Sequence, residues 1–423
     1  MHQPDYHDNK RYSVVDRILK HALARIVSGG FLTVMTAQGR VMTFGDGTGT
    51  PVAVRFMDTK AQWAFLIDAD LRLGELYMDG RFRVENGTIF DFVALMLREA
   101  ETRKHPLASR IIDSLRSRFR IFRLRNLPGR SKRNVAHHYD LDARLYEFFL
   151  DTDRQYSCAY FEHEDQSLED AQAAKKRHLA AKLRIEPGNR ILDIGSGWGG
   201  LALFLAQHAP GSRVLGVTLS EEQLVYARRR TLPSAGTVEF ELKDYRTLTG
   251  RFDRIVSVGM FEHVGVGSYP AFFNTCQRLL ADDGVMVLHT IGCSGPPGFT
   301  TPWLDKYIFP GGYVPALSQI VPVIEAAGFV ITDIEVLRLH YAWTLKHWRK
   351  RFMARWSDVE RLYDARFCRM WEYYLSTAEA AFRYEDLVVF QIQISKRNDI
   401  LPVWRDYLYS TVQSKADFKR TVE

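Results

Sequence analysis

The chain's 423 residues are too many for one ordinary domain, and 46% hydrophobic with 25% charged residues is the composition of folded, soluble domains. No apolar run reaches the roughly 18 residues a membrane-crossing helix needs, and Met1 to Lys10 lacks the apolar centre of a secretory signal, so a cytoplasmic protein is expected. Cys158, Cys276, Cys293 and Cys368 have neither zinc-ligand nor disulfide spacing, and the net charge of +7 is concentrated rather than spread.

In chain order, residues 1–100 read as a small α+β domain. Helical patterns at Val15–Val27 and Ile89–Glu99 flank alternating segments at Phe31–Met35, Arg40–Phe44 and Pro51–Phe56, with glycine-rich turns between them. No catalytic grouping stands out there. Residues 101–133 read as a basic linker helix, ended by Pro128-Gly129. Between Arg103 and Arg133 it carries Arg103, Lys104, Arg110, Arg116, Arg118, Arg120, Arg123, Arg125, Arg130, Lys132 and Arg133 against Asp113 alone. Ile111, Ile112, Leu115, Phe119, Ile121, Phe122 and Leu124 are threaded through it. Such a segment is either a solvated connector or a binder of anionic membrane surfaces, where each basic side chain adds about 1 kcal/mol. No nucleic-acid motif accompanies the charge.

Residues 134–400 alternate helix and strand, which predicts a doubly wound, largely parallel sheet, and 401–423 reads as a tail. Strands are expected at Ile191–Ile194, Val214–Val217, Val238–Leu242, Arg254–Val258, Val285–Thr290, Val330–Val336 and Val388–Ile394. Helices are expected at Ser220–Arg230, Ser268–Leu280 and Leu317–Ala327, with a helical insertion over Ala342–Arg383. Ligands of such sheets sit beyond the carboxyl ends of the strands. That gathers Gly195, Thr218, Asp244, the Gly259–Gly265 loop and a His289–Gly292 turn around one crevice.

The turn Ile191-Leu-Asp-Ile-Gly-Ser-Gly-Trp-Gly-Gly200 leads a buried strand through Gly195, Gly197 and Gly199 into a helix expected at Trp198–His208. Glycines there let the backbone approach a ligand, and the helix N-terminus favours anionic or polar groups. A dinucleotide site needs an acid about 20 residues on, at the tip of the second strand. Thr218 stands there instead, and Glu221 and Glu222 come later. The acid of this chain, Asp193, precedes the first glycine, where it either contacts a cationic amino-acid tail such as that of S-adenosylmethionine or braces the turn. Methyltransferase is favoured over dehydrogenase.

Cys158, Glu262, His263, His289 and Tyr341 fall at strand ends or loops facing that crevice. Singly, each is compatible with ordinary structure. In order, Tyr156-Ser-Cys-Ala-Tyr160, Leu192–Gly200, Gly216-Val-Thr-Leu-Ser220, Met260-Phe-Glu-His-Val-Gly265, Leu288-His-Thr-Ile-Gly292 and Lys306-Tyr-Ile-Phe-Pro310 resemble the cyclopropane-fatty-acyl-phospholipid synthase family from Asn134 to Lys396. The resemblance implies a Rossmann-like class I methyltransferase domain behind a small N-terminal lipid-binding domain, the latter carried by Gly74–Gly80. It also implies methylene transfer from S-adenosylmethionine to a cis double bond of a phospholipid acyl chain, closing a cyclopropane ring.

Carried over, a bound bicarbonate that removes the proton is held by Cys158, Glu262, His289, the backbone of Ile291 and Tyr341. Gly195, Gly197 and Gly199 cradle the methionine portion, with Asp193 beside it, and Tyr156 and Ser157 close over it. Thr218 and Gln223 reach the ribose, and Asp244 and Tyr245 lie by the adenine, two assignments that rest equally on strand-end position. Phe261, Trp303, Tyr307, Phe309 and Tyr313 line an acyl channel, shield a cation, or pack as core. A homodimer peripheral to the inner membrane is implied. The rivals are an enzyme leaving a methyl- or methylene-branched chain, a small-molecule methyltransferase, and a non-catalytic lipid-binding protein.

Overall fold

A computed structural model describes residues 12–101, 142–230, 236–298 and 300–409; the basic linker at 103–133 lies outside them. In the N-terminal unit, α1 (Val14–Ile26) opens on a Ser13–Asp16 capping box and buries Val15, Leu19 and Leu23 at helical spacing. Strands β1 (Leu32–Met35), β2 (Val41–Phe44), β3 (Val52–Phe56) and β4 (Phe82–Asn86) form a sheet in the order β2-β1-β3-β4, with only the β1–β3 pair parallel. Two helices not evident in the sequence, α2 (Thr59–Ile67) and α3 (Ala69–Met78), make the crossover from β3 to β4, and α4 (Ile89–Glu101) follows. Their periodicity is weak because α2 is apolar on more than one face.

The larger unit runs α5 (Ala143–Phe149), α6 (Leu168–Leu183), β5 (Arg190–Ile194), α7 (Gly200–His208), β6 (Arg213–Thr218), α8 (Glu221–Arg229), β7 (Thr237–Leu242) and β8 (Phe252–Val258). It continues with α9 (Tyr269–Leu279), β9 (Leu280–Cys293), α10 (Pro302–Tyr307), α11 (Leu317–Ala326), β10 (Val330–Val336), α12 (His340–Ala354), α13 (Trp356–Leu362), α14 (Ala365–Tyr384) and β11 (Leu387–Ser395). The strand order is β10-β11-β9-β8-β5-β6-β7, and β11 alone runs against its neighbours. The chain leaves β5 for β6 on one side and returns to β8 on the other, so a crevice opens at the carboxyl end of β5.

Three expectations are corrected. Helix α7 starts at Gly200 rather than Trp198, because Gly199 takes a left-handed N-cap at φ +84°, where an added Cβ would lie 2.7 Å from the Phe240 ring. Strand β9 runs through Ile291 and Gly292, which are paired with β11 and form no turn. The segment from 401 to 409 packs on the domain rather than trailing from it: Leu408 is buried, Arg405 pairs with Asp333 at 2.6 Å, and the Tyr407 hydroxyl donates to Gln393 at 3.0 Å.

The two units share one apolar core, in which α3 and α4 pack on α14. Around that core Tyr77 donates to Glu372 at 2.6 Å, Lys306 and Tyr307 bind Glu75 at 2.6 and 2.9 Å, and the Trp303 ring lies 4.6 Å from Tyr373. Trp303 is therefore a docking residue rather than part of an acyl channel. Gly74 permits the approach, since a Cβ there would sit 2.4 Å from the Trp303 indole nitrogen. Gly74→Val is expected to destabilise the protein by about 1–3 kcal/mol through overpacking, read as a lower urea midpoint; an unchanged midpoint would show that α3 can move away freely.

Candidate active site

The crevice is lined by Tyr156, Ser157, Asp193, Gly195, Gly197, Thr218, Gln223, Asp244 and Tyr245, nine of the ten residues expected to hold a cofactor. The tenth, Gly199, acts one step back as the α7 cap. Met260, His263, Trp198 and Lys243 are among the other residues of the wall. Gly195 (φ +82°) brings the turn against Met260, whose side chain would lie 2.8 Å from an added Cβ. At the tips of β6 and β7 the Thr218 hydroxyl donates to the Gln223 carbonyl at 3.0 Å, and Asp244 pairs with Arg246. Burial raises the Asp244 carboxyl, but its bonds to Arg246 hold it below the usual range.

Asp193 is buried at the end of β5, and its Oδ2 has no hydrogen-bond partner. Burial pushes its pKa up to about 7, with only the charge of Lys175 opposing. Glu262 is in the same condition. It sits in the turn after β8, its Oε1 accepts from the Ile291 amide at 2.7 Å, and its Oε2 is unpartnered. Burial carries it to about 7 as well. Beside it, desolvation pushes the half-buried His263 down to about 4, so its ring is neutral.

Of the other expected cage residues, His289 lies two residues before Ile291 on the same face of β9, and burial holds its pKa well below the usual value. Cys158 is buried and kept as a thiol. Tyr341, on the first turn of α12, packs its ring against Phe382 at 4.8 Å and Trp348 at 5.8 Å. Two bonds pin the Cys158 loop to that helix: Ala159 N–H to the Thr344 hydroxyl at 3.0 Å, and Phe161 N–H to His340 Nδ1 at 2.9 Å. Only Glu262 and Ile291 are joined directly by a hydrogen bond. The cage residues do not line the crevice themselves, but their chain neighbours Ser157, Met260 and His263 do.

Aromatic rings close the site on the side of α12 and α14. Tyr156 stacks on Trp348 at 5.2 Å, and its hydroxyl lies 3.0 Å from that of Tyr374. Phe309 reaches Tyr374 at 5.7 Å. Phe261, expected at an entrance, instead stacks on Tyr269 inside the core at 4.2 Å. Tyr313 is buried and its amide donates to the Glu262 carbonyl at 3.2 Å.

The sequence reading overlooked Lys175. It is fully buried on α6 and donates to Gln155 Oε1 at 2.7 Å and Ser157 Oγ at 2.9 Å. Burial lowers its pKa to about 8. The signal was present: Gln172, Lys175, His178 and Lys182 follow helical spacing on a face otherwise filled by Leu168, Ala171, Leu179 and Leu183. Polar residues in core positions of a helix need partners.

The strand order, the one reversed strand and the acid set before a glycine turn are together those of Rossmann-like S-adenosylmethionine-dependent methyltransferases. Residues 128–392 match the family described as mycolic acid cyclopropane synthetase. The cyclopropane-fatty-acyl-phospholipid synthase of Escherichia coli K12 is 40% identical over 333 residues, which span 78% of this chain and 84% of that protein. Tuberculostearic acid methyltransferase UfaA1 of Mycobacterium tuberculosis is 38% identical over 62% of this chain and 64% of its own length. The crystal structure of mycolic acid cyclopropane synthase CmaA1 complexed with SAH and CTAB covers 62% of this chain and 97% of its own, at 32% identity and a TM-score of 0.58. The chain belongs to the cyclopropane-fatty-acyl-phospholipid synthase family.

Asp193 and Glu262 keep protons near neutrality that the unfolded chain, whose carboxyls have their ordinary values of 3.8 and 4.5, has already released. Stability should therefore fall as pH rises from about 4 towards 7. Asp193→Asn and Glu262→Gln are each expected to stabilise the free protein above pH 7 by on the order of 1–3 kcal/mol, with the gain vanishing near pH 4. Melting curves across this range measure it; a gain independent of pH would mean that neither carboxyl is protonated in the folded state.

Proposed function

We propose that this enzyme adds a methylene group from S-adenosylmethionine to a cis double bond of an unsaturated phospholipid acyl chain, closing a cyclopropane ring with bicarbonate as the base. The observation that carries this reading is the half-satisfied Glu262 beside Ile291, its Oε2 buried without a partner behind the cofactor crevice. The Escherichia coli relative's name supplies the substrate class.

The residues present fit both groups. Asp193 Oδ2 is an unsatisfied buried acceptor suited to the ammonium of the methionine portion, and the glycine turn admits a ligand where side chains would collide. Glu262 Oε2 is an unsatisfied acceptor suited to a hydroxyl of a small oxyanion. When bound, S-adenosylmethionine supplies an electrophilic methyl group and bicarbonate supplies a proton acceptor.

The chain's own residues orient, exclude water and manage protons. An alkene is a weak nucleophile, so the site must hold it in line with the methyl group. Tyr156, Trp348, Tyr374 and Phe309 keep that position dry, which protects a cationic carbon from water. Their ring faces also favour positive charge. Cys158, held as a thiol, and Tyr341 supply donors for the oxyanion, the Ile291 amide fixes Glu262 through Oε1, while Glu262 takes up or holds a proton at Oε2 and His289 lines the cage. Thr218 and Gln223 serve the ribose, and Asp244 and Tyr245 the adenine.

The reading extends to the membrane: the basic segment at 103–133 holds the enzyme on the anionic inner leaflet, and the active species is a homodimer. Replacing Arg116, Arg118, Arg120 and Arg123 with Ala should weaken binding to anionic vesicles at low salt, each charge accounting for about 1 kcal/mol. Co-sedimentation checks this, and unchanged binding would remove the segment from the membrane contact.

The decisive experiment is mass spectrometry of unsaturated phospholipid vesicles incubated with enzyme, S-adenosylmethionine and bicarbonate. A gain of one CH₂ with the alkene lost is expected, and Glu262→Gln should lower kcat by about 10²–10⁴. A gain of CH₂ with an alkene retained would mean a branched product and no ring closure. No gain despite bound cofactor would overturn the lipid reading.

A further inference from the structure

His289 faces a single hydrogen-bonding neighbour on the adjacent strand. In the antiparallel β9–β11 pair, His289 and Gln391 stand directly opposite one another, so their side chains leave the sheet on the same face. Both are buried, and the Gln391 amide nitrogen lies 3.1 Å from His289 Nδ1. With the amide nitrogen turned to the ring and Gln391 Oε1 left without a partner, the nitrogen donates and Nδ1 presents its lone pair. A neutral imidazole has one proton to place, and it then resides on Nε2.

The surroundings keep the ring neutral. From α6 it faces the ammonium groups of Lys175 and Lys182 and the ring of His178, and from β10 the carboxylate of Glu335. Glu335 is itself engaged, by Lys182 and His178 at 2.6 Å each. An imidazolium would add a further charge to this group and would set an N–H of Nδ1 against the donating amide.

We propose that Gln391 is a positioning residue that holds His289 as the Nε2–H tautomer, so that the ring offers a donor, not a lone pair, to an anion held at Glu262 and Ile291. This rests on the bicarbonate reading above, and it says which way the cage is polarised. With Nε2 as acceptor, the ring would repel the oxyanion it is meant to hold. Gln391 touches no reacting atom in this scheme; it acts through His289 alone, as outer partners commonly fix the ring orientation of a ligating histidine.

The test uses the full chain with isotope-labelled histidine and long-range proton–nitrogen correlation at neutral pH, the His289 signal being assigned by its loss in His289→Gln. The wild type should show the Nε2–H form. Gln391→Glu, whose carboxylate accepts rather than donates, should move the proton to Nδ1. Gln391→Leu, which offers neither, should leave a mixture, and serves if the buried glutamate prevents folding. Both variants should raise the bicarbonate concentration for half-maximal activity about tenfold, with cofactor affinity unchanged. A wild-type ring protonated on Nδ1, or a tautomer unaltered in both variants, overturns the proposal. If the tautomer shifts as expected while the wild type itself gives no response to bicarbonate, the bicarbonate reading falls and the assignment of Gln391 to the tautomer stands.

Discussion

The site depends on one ammonium group kept out of water. Lys175 binds the side chains of Gln155 and Ser157, and the loop it holds carries Tyr156 to the cofactor crevice and Cys158 into the buried layer behind it. Gln172, one turn earlier, takes the backbone carbonyl of Ser157 at 3.0 Å. Helix α6 therefore fixes a loop that has no regular structure of its own. A buried cation is tolerated because two hydrogen bonds and the nearby carboxylates Asp151 and Asp153 compensate it. The same charge reaches Asp193 and His289, so a single group biases the protonation of both compartments.

Two carboxyl groups with unsatisfied oxygens, Asp193 and Glu262, run against the rule that buried polar atoms find partners. A fold optimised only for stability would replace them with amides or apolar groups. They stand at the ends of β5 and β8, on either side of the switch point, where unpartnered acceptors cost the folded state stability. The aromatic wall has the complementary task. Its rings exclude water while its few hydroxyls, Tyr156 and Tyr374, bond to each other.

Much of this was legible in the sequence because it depends on local pattern. The glycine turn, the alternation of strand and helix, and the tips of β5, β6 and β7 follow from spacing and from the chemistry of glycine and acidic residues. What escaped depends on long-range placement. Phe261 and Phe309 are both aromatic residues near motif positions, yet one stacks inside the core and the other approaches the site, and only the packing of α9 and α14 separates them. The reach of β9 through Ile291 was hidden because its last residues are secured by β11, about a hundred positions later in the chain. Lys175 was passed over because a lysine on a helix is normally on the solvated face.

Helix α14 carries its messages at three consecutive positions. Glu372 receives Tyr77 of the N-terminal unit, Tyr373 receives Trp303, and Tyr374 reaches Tyr156 in the site. Successive residues of an α-helix are turned by about 100°, so these three contacts read the helix from three directions at once. Such a helix behaves like a key cut on several sides. A residue inserted between Glu372 and Tyr374 swings the later position by that same angle relative to the earlier one, and no rotation then restores all three contacts together. Point substitutions along α14 can drift, but its phase cannot, and the small domain and the active site are bound to change length and register in step.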